Sequence, residues 1–161
     1  MMREIQEYRH KVQYYETDQM GIVHHSNYIR WFEEARTDLL EQMGMGYDRM
    51  EALGIGSPVL GVEADYLRMV HFGDIVSIQT RMKEYNGIKL TLEYEVTDEK
   101  TGMVHCRGLT KHCFLNEKGR PVSLKKDYPD IHALFVELME QGKQKPEKKK
   151  KKVQILSLIN R

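Results

Sequence analysis

A chain of 161 residues, 40% hydrophobic and 30% charged, suits one globular domain large enough to bury a real core. Its net charge of +1 conceals a split, because residues 142–161 carry +7 and the first 141 carry −6; a mildly acidic body argues against a nucleic-acid-binding domain. No apolar run approaches the ~18 residues of a membrane span and the N-terminus has no apolar signal-peptide core, so a cytoplasmic location is expected and membrane association is not.

Residues 5–15 alternate loosely, with Tyr8, His10, Val12 and Tyr14 on one face, and read as a first strand. A polar turn follows at Asp18, where Gly21 can take the positive φ that such turns need. Ser26 or Asn27 is a favoured N-cap for the clearest helix in the chain, 27–43. There Tyr28, Phe32, Ala35, Leu39 and Met43 make one apolar stripe, while Arg30, Glu33, Arg36, Asp38 and Glu41 cover the polar side. Gly44 is a natural stop, and a short helix or turn spans Tyr47 to Leu53.

Four strands are expected next, at 57–69, 75–84, 88–97 and 103–115. The third is the cleanest: Ile88, Leu90, Leu92, Tyr94 and Val96 face one way, Lys89, Thr91, Glu93, Glu95 and Thr97 the other. Asn86-Gly87 marks a hairpin, and short turns between consecutive strands impose antiparallel pairing. Cys106 and Cys113 would then lie on opposite faces of one strand, roughly 23 Å apart and beyond disulfide reach. An amphipathic helix at 128–141, with Tyr128, Ile131, Leu134, Phe135 and Leu138 inward and a cap near Asp127 or Asp130, closes a domain taken as residues 1–141. The Lys-rich stretch 142–161 reads as a solvated appendage.

The chemistry concentrates between Tyr14 and Tyr28. A carboxylate at Asp18, facing the N-terminus of helix 27–43, would set a nucleophile or base beside backbone N–H groups that stabilise a developing oxyanion. That arrangement suits acyl transfer or hydrolysis. The plainer reading of Asp18 is turn chemistry or a cap, and His24-His25 read as loop residues whose side chains point apart. The histidines show no metal-binding spacing, and no phosphate-binding glycine loop is present.

The run Tyr14-x-x-x-Asp18-x-x-Gly21-x-Val23-x-His25-x-x-Tyr28, then Trp31-Phe32-Glu33-Glu34-Ala35-Arg36, resembles the signature of the 4-hydroxybenzoyl-CoA thioesterase-like branch of the hotdog superfamily. More narrowly, it is similar to the acyl-CoA thioesterases associated with the bacterial Tol-Pal system. The resemblance implies an α+β hotdog fold, a five-stranded antiparallel sheet wrapped around one long central helix. It implies hydrolysis of acyl-CoA to free acid and CoA, with no cofactor beyond the CoA of the substrate, by a homodimer or homotetramer. In such proteins the residue matching Asp18 is nucleophile or general base, the backbone N–H at His25 polarises the thioester oxygen, and Tyr14 falls at an active-site position. A hotdog hydratase or dehydratase and a non-catalytic acyl-CoA-binding module are the alternatives. Arg68, Arg81, Lys83, Lys89, Arg107 and Lys111 are candidates to meet CoA phosphates.

Because motif, helix and strands all precede Gly142, removing residues 143–161 is expected to leave folding intact. The Michaelis constant for acyl-CoA should be unchanged at low and high salt, whereas a severalfold rise at low salt only would mark the lysines as electrostatic contributors.

Overall fold

The computed structural model describes residues 4–144. Most of the Lys-rich stretch, from residue 145 on, lies outside them. The elements are β1 (Tyr8–Lys11), a single 3-10 turn (Tyr14–Glu16), α1 (Ser26–Gln42), α2 (Tyr47–Ala52), β2 (Val59–Tyr66), β3 (Ile75–Tyr85), β4 (Lys89–Asp98), β5 (Val104–Cys113), α3 (Leu124–Asp127) and α4 (Pro129–Gln144).

The five strands form one antiparallel sheet in the order β1-β3-β4-β5-β2. The short connections expected from the sequence build its centre. Asn86 Oδ1 accepts the Ile88 and Lys89 amides, and Gly87 takes φ +90° in the β3–β4 turn. Strand alternation then buries Leu90, Leu92, Tyr94 and Val96. Ile88 falls outside β4 and is exposed.

Helix α1 lays its apolar stripe on this face. Trp31 and Phe32 are fully buried, and Tyr28, Ala35, Leu39 and Leu40 accompany them. Phe32 stacks on Tyr94 of β4, with ring centroids 4.4 Å apart. It also lies over Gly108 of β5, where a Cβ would collide with the ring. A glycine is required there by close approach, not by backbone angle. Helix α4 closes the end of the core with Ile131, Phe135 and Leu138.

Four details differ from the sequence reading. The first strand stops at Lys11 and turns through the 3-10 segment, which carries Tyr14 out to solvent (77% exposed), away from the core face of that strand. Arg36 is buried (8% exposed), not part of a solvated helix side. A separate short helix, α3, precedes α4 and is capped by Ser123, whose Oγ accepts the Lys126 amide. Finally, α4 runs past the expected boundary at 141 to Gln144, and Gly142 packs closely on Arg81 and Met82 of β3.

Gly108→Ala should therefore lower stability by about 1–3 kcal/mol through overpacking, seen as a fall of several degrees in melting temperature. Adding Phe32→Leu to that variant should recover part of the loss, since the two positions share one contact.

Candidate active site

The site is a loop closed against the start of α1. Thr17 bridges Val23, the Asp18 amide donates to the Ile22 carbonyl at 2.9 Å, and the Gly21 amide donates to the Asp18 carbonyl at 2.9 Å. Gly21, at φ +76°, makes the reversal without steric cost. Inside this turn Asp18 Oδ1 accepts the Met20 amide at 2.8 Å. Asp18 is half-buried, and among the described residues its Oδ2 takes no hydrogen bond.

His25 stands at the N-cap position of α1 with a helical backbone. Its carbonyl accepts the Tyr66 hydroxyl of β2 at 3.2 Å, so a sheet strand fixes the first peptide of the helix. The expected cap at Ser26 or Asn27 is replaced by another device. His24 Nδ1 accepts the Ser26 amide at 3.2 Å and lies 2.8 Å from Ser26 Oγ. The rings of His24 and His25 do not point apart; their centroids are 4.1 Å from each other. Ser26 thus meets the His24 ring through both its amide and its hydroxyl at the helix start.

The residue that sequence reasoning missed is Glu16. It is buried (5% exposed), yet it ends a polar-looking turn. Oε1 accepts from His10 Nε2 at 2.7 Å and from the Gln13 amide at 2.8 Å. Oε2 accepts from the indole of Trp31 at 2.6 Å. Its backbone carbonyl takes the His24 amide at 2.8 Å and the Asn27 side chain at 2.9 Å. Burial pushes this carboxyl up, but the bonds from Gln13, His10 and Trp31 outweigh it and hold Glu16 below the usual carboxylate range. The one available signal was spacing: Trp31 lies on the same apolar stripe as Tyr28, and a buried indole needs an acceptor.

The turn thus places Asp18 two residues after Glu16 and His25 one residue after His24, and a hydrogen bond joins Glu16 to His24. Among the described residues Tyr14 makes no hydrogen bond to Asp18 or His25. Its ring packs edge-on to exposed Phe72 at 5.8 Å, and its carbonyl accepts from Thr17. Glu34 turns to Tyr8 and His10 on the far side of Glu16. Of the basic residues considered for phosphates, Arg81 and Lys83 pair with Glu93, and Arg107 pairs with Glu95. No group of three His, Cys, Asp or Glu side chains able to hold a metal ion occurs among the described residues, and no helix there is long and apolar enough to cross a membrane.

A five-stranded antiparallel sheet carrying α1, with a carboxylate turn at the helix start, defines a hotdog-fold protein. The chain belongs to the thioesterase-like superfamily, whose sequence profile matches residues 12–147. It is 35% identical, over 78% of its length and 91% of the relative's, to YneP of Bacillus subtilis, a protein provisionally described as an acyl-CoA thioesterase. Among solved structures it is similar to the DHNA-CoA thioesterase of Staphylococcus aureus, with a TM-score of 0.80 and 29% identity over 86% of this chain and 93% of that one. It also resembles the hypothetical protein TT1821 of Thermus thermophilus, with a TM-score of 0.77 and 35% identity over 83% and 99%.

Glu16→Gln keeps the shape but turns an amide N–H₂ toward at least one of three donors. A loss of about 1.5–3 kcal/mol is expected, read from the urea midpoint with an unchanged m-value. The acid limb should change too. The unfolded chain protonates this carboxyl near 4.5 and the folded chain only below that. Glu16 therefore contributes stability that is full above about pH 4.5 and vanishes as pH falls through the lowered value. The variant should show a shallower acid limb.

Proposed function

We propose that the chain hydrolyses acyl-CoA thioesters to free acid and CoA at the Asp18–His25 junction. The observation that carries this reading is that both residues sit on one hydrogen-bonded loop at the start of α1. Membership of the thioesterase-like superfamily and the thioesterases among its relatives support it.

In this reading Asp18 presents Oδ2, the oxygen outside its turn, either to the thioester carbonyl carbon or to a water. Direct attack would form an anhydride that water then cleaves; base catalysis would pass the water's proton to the carboxylate. Either way charge builds on the thioester oxygen. The His25 amide, aided by the helix dipole, is the donor suited to receive it. The Met20 amide on Oδ1 and the Tyr66 hydroxyl on the His25 carbonyl hold the two groups in place. The leaving thiolate needs no metal, because thiols are good leaving groups. Tyr14 is assigned to the mouth of the site, on the strength of the motif and its exposed ring. The narrower kinship with Tol-Pal-associated enzymes rests on the run from Tyr14 to Tyr28 and the Trp31–Arg36 segment after it.

A homodimer belongs to the same reading. Strand β2 is a sheet edge with exposed Val59, Leu60, Val62 and Tyr66, and an uncovered apolar edge invites pairing with a second copy. Tyr66 would then couple that edge to His25.

Free thiol release from a panel of acyl-CoAs tests the function. Asp18→Asn should lower kcat by about 10²–10⁴-fold with the fold retained. Unchanged release in the variant would contradict the mechanism, and tight binding without release from any substrate would leave a binding module instead.

A further inference from the structure

The middle of α1 carries a buried charge that has no ion-pair partner among the described residues. Arg36 is 8% exposed. Its Nε donates to the Tyr47 hydroxyl at 3.3 Å, and the guanidinium also hydrogen-bonds Tyr94. From Tyr94 a chain of neutral groups continues: its hydroxyl lies 2.7 Å from Thr110 Oγ1, which lies 2.7 Å from His112 Nε2. His112 is 2% exposed and abuts the backbone of Ser57. Burial first, and Arg36 second, push this imidazole down to about 4, so it stays neutral near pH 7. Among the described residues no carboxylate lies within ion-pair distance of Arg36.

Beside the guanidinium is a cavity of about 20 Å³. Its polar lining is Arg36, Tyr47, Ser57 and His112, and its remaining walls are apolar side chains of α1, α2, β3, β4, α4 and the residue after β5. Tyr47 and Ser57 are half-buried. A void of this size holds one small occupant. A water would satisfy hydrogen bonds but leave the charge uncompensated, and an unpaired buried charge is costly. A compact anion answers both needs, since charge-assisted bonds to a guanidinium are the strong ones.

We propose that Arg36, with Tyr47 and Ser57, forms a binding site for one compact monovalent anion, a halide or a carboxylate no larger than formate. The site is distinct from the loop–helix junction. Arg36 lies eleven positions beyond His25, about 16 Å along the helix at 1.5 Å per residue, with buried Trp31 and Phe32 between them in the chain.

The test titrates sodium chloride into the full chain while sodium gluconate holds the ionic strength constant. Melting temperature should rise saturably, by about 3–6 °C once chloride exceeds its dissociation constant tenfold. Formate should reproduce the rise and sulfate, too large for the cavity, should not. A response to formate without one to chloride would assign the site to a carboxylate. Arg36→Met should abolish the dependence whatever its own stability. Broadening of the chloride NMR line by the unaltered chain, reversed by formate, gives a reading that needs no variant to fold. Melting and line width indifferent to chloride, bromide and formate would overturn the proposal. So would equal responses from the unaltered chain and a folded Arg36→Met.

Discussion

The geometry of the junction depends on one buried carboxylate. Glu16 collects five donors: His10, Gln13 and Trp31 on its side chain, His24 and Asn27 on its carbonyl. These come from β1, from the start of the 3-10 turn, from α1 and from the segment leading into α1. A buried charge is tolerated only when its oxygens are satisfied, so these pieces of chain must meet in one arrangement. That requirement fixes where the Asp18 loop begins and where it ends. The loop itself is short and only partly exposed, and its anchor is buried.

The anchor also connects the loop to the core. Trp31 is fully buried, contacts His10 at 4.9 Å and Tyr28 at 4.9 Å between ring centroids, and Tyr28 packs on Tyr66. Tyr66 in turn holds the His25 carbonyl. One continuous set of aromatic contacts thus runs from β1 through α1 to β2 and returns to the start of the helix. Farther along α1 the same helix has a second polar interior around Arg36, built from phenols, a hydroxyl and a neutral imidazole. A carboxylate among bound donors at one end and a cation among neutral groups farther along make α1 more than an apolar spine.

The periodic parts of this architecture were legible in the sequence. The stripe from Tyr28 to Leu39 and the alternation from Leu90 to Val96 place their residues where the structure buries them. The junction was legible only through the spacing of Asp18, Gly21 and His25, which resembles a known signature. What escaped has a common cause: local pattern cannot show a polar residue that is buried by distant partners. Glu16 follows two exposed tyrosines, and its side-chain partners His10 and Trp31 lie 6 and 15 residues away. Arg36 falls among charged neighbours on a helical wheel, yet α2 and β4 cover it with hydroxyls. Tyr14 continues an alternating pattern that the chain abandons at Lys11, because the 3-10 turn needed to bring Glu16 inward rotates it outward.

If Glu16 acts by holding Asp18 in place, the two residues cannot contribute independently to the reaction. The decisive measurement is the rate of thiol release from acyl-CoA in a double-mutant cycle of Glu16→Gln and Asp18→Asn, under conditions where all four proteins are folded. The account predicts a slow Glu16→Gln enzyme and a double variant no slower than Asp18→Asn alone, within about twofold. A Glu16→Gln enzyme as fast as the unaltered protein, or rate losses that multiply in the double variant, would contradict it.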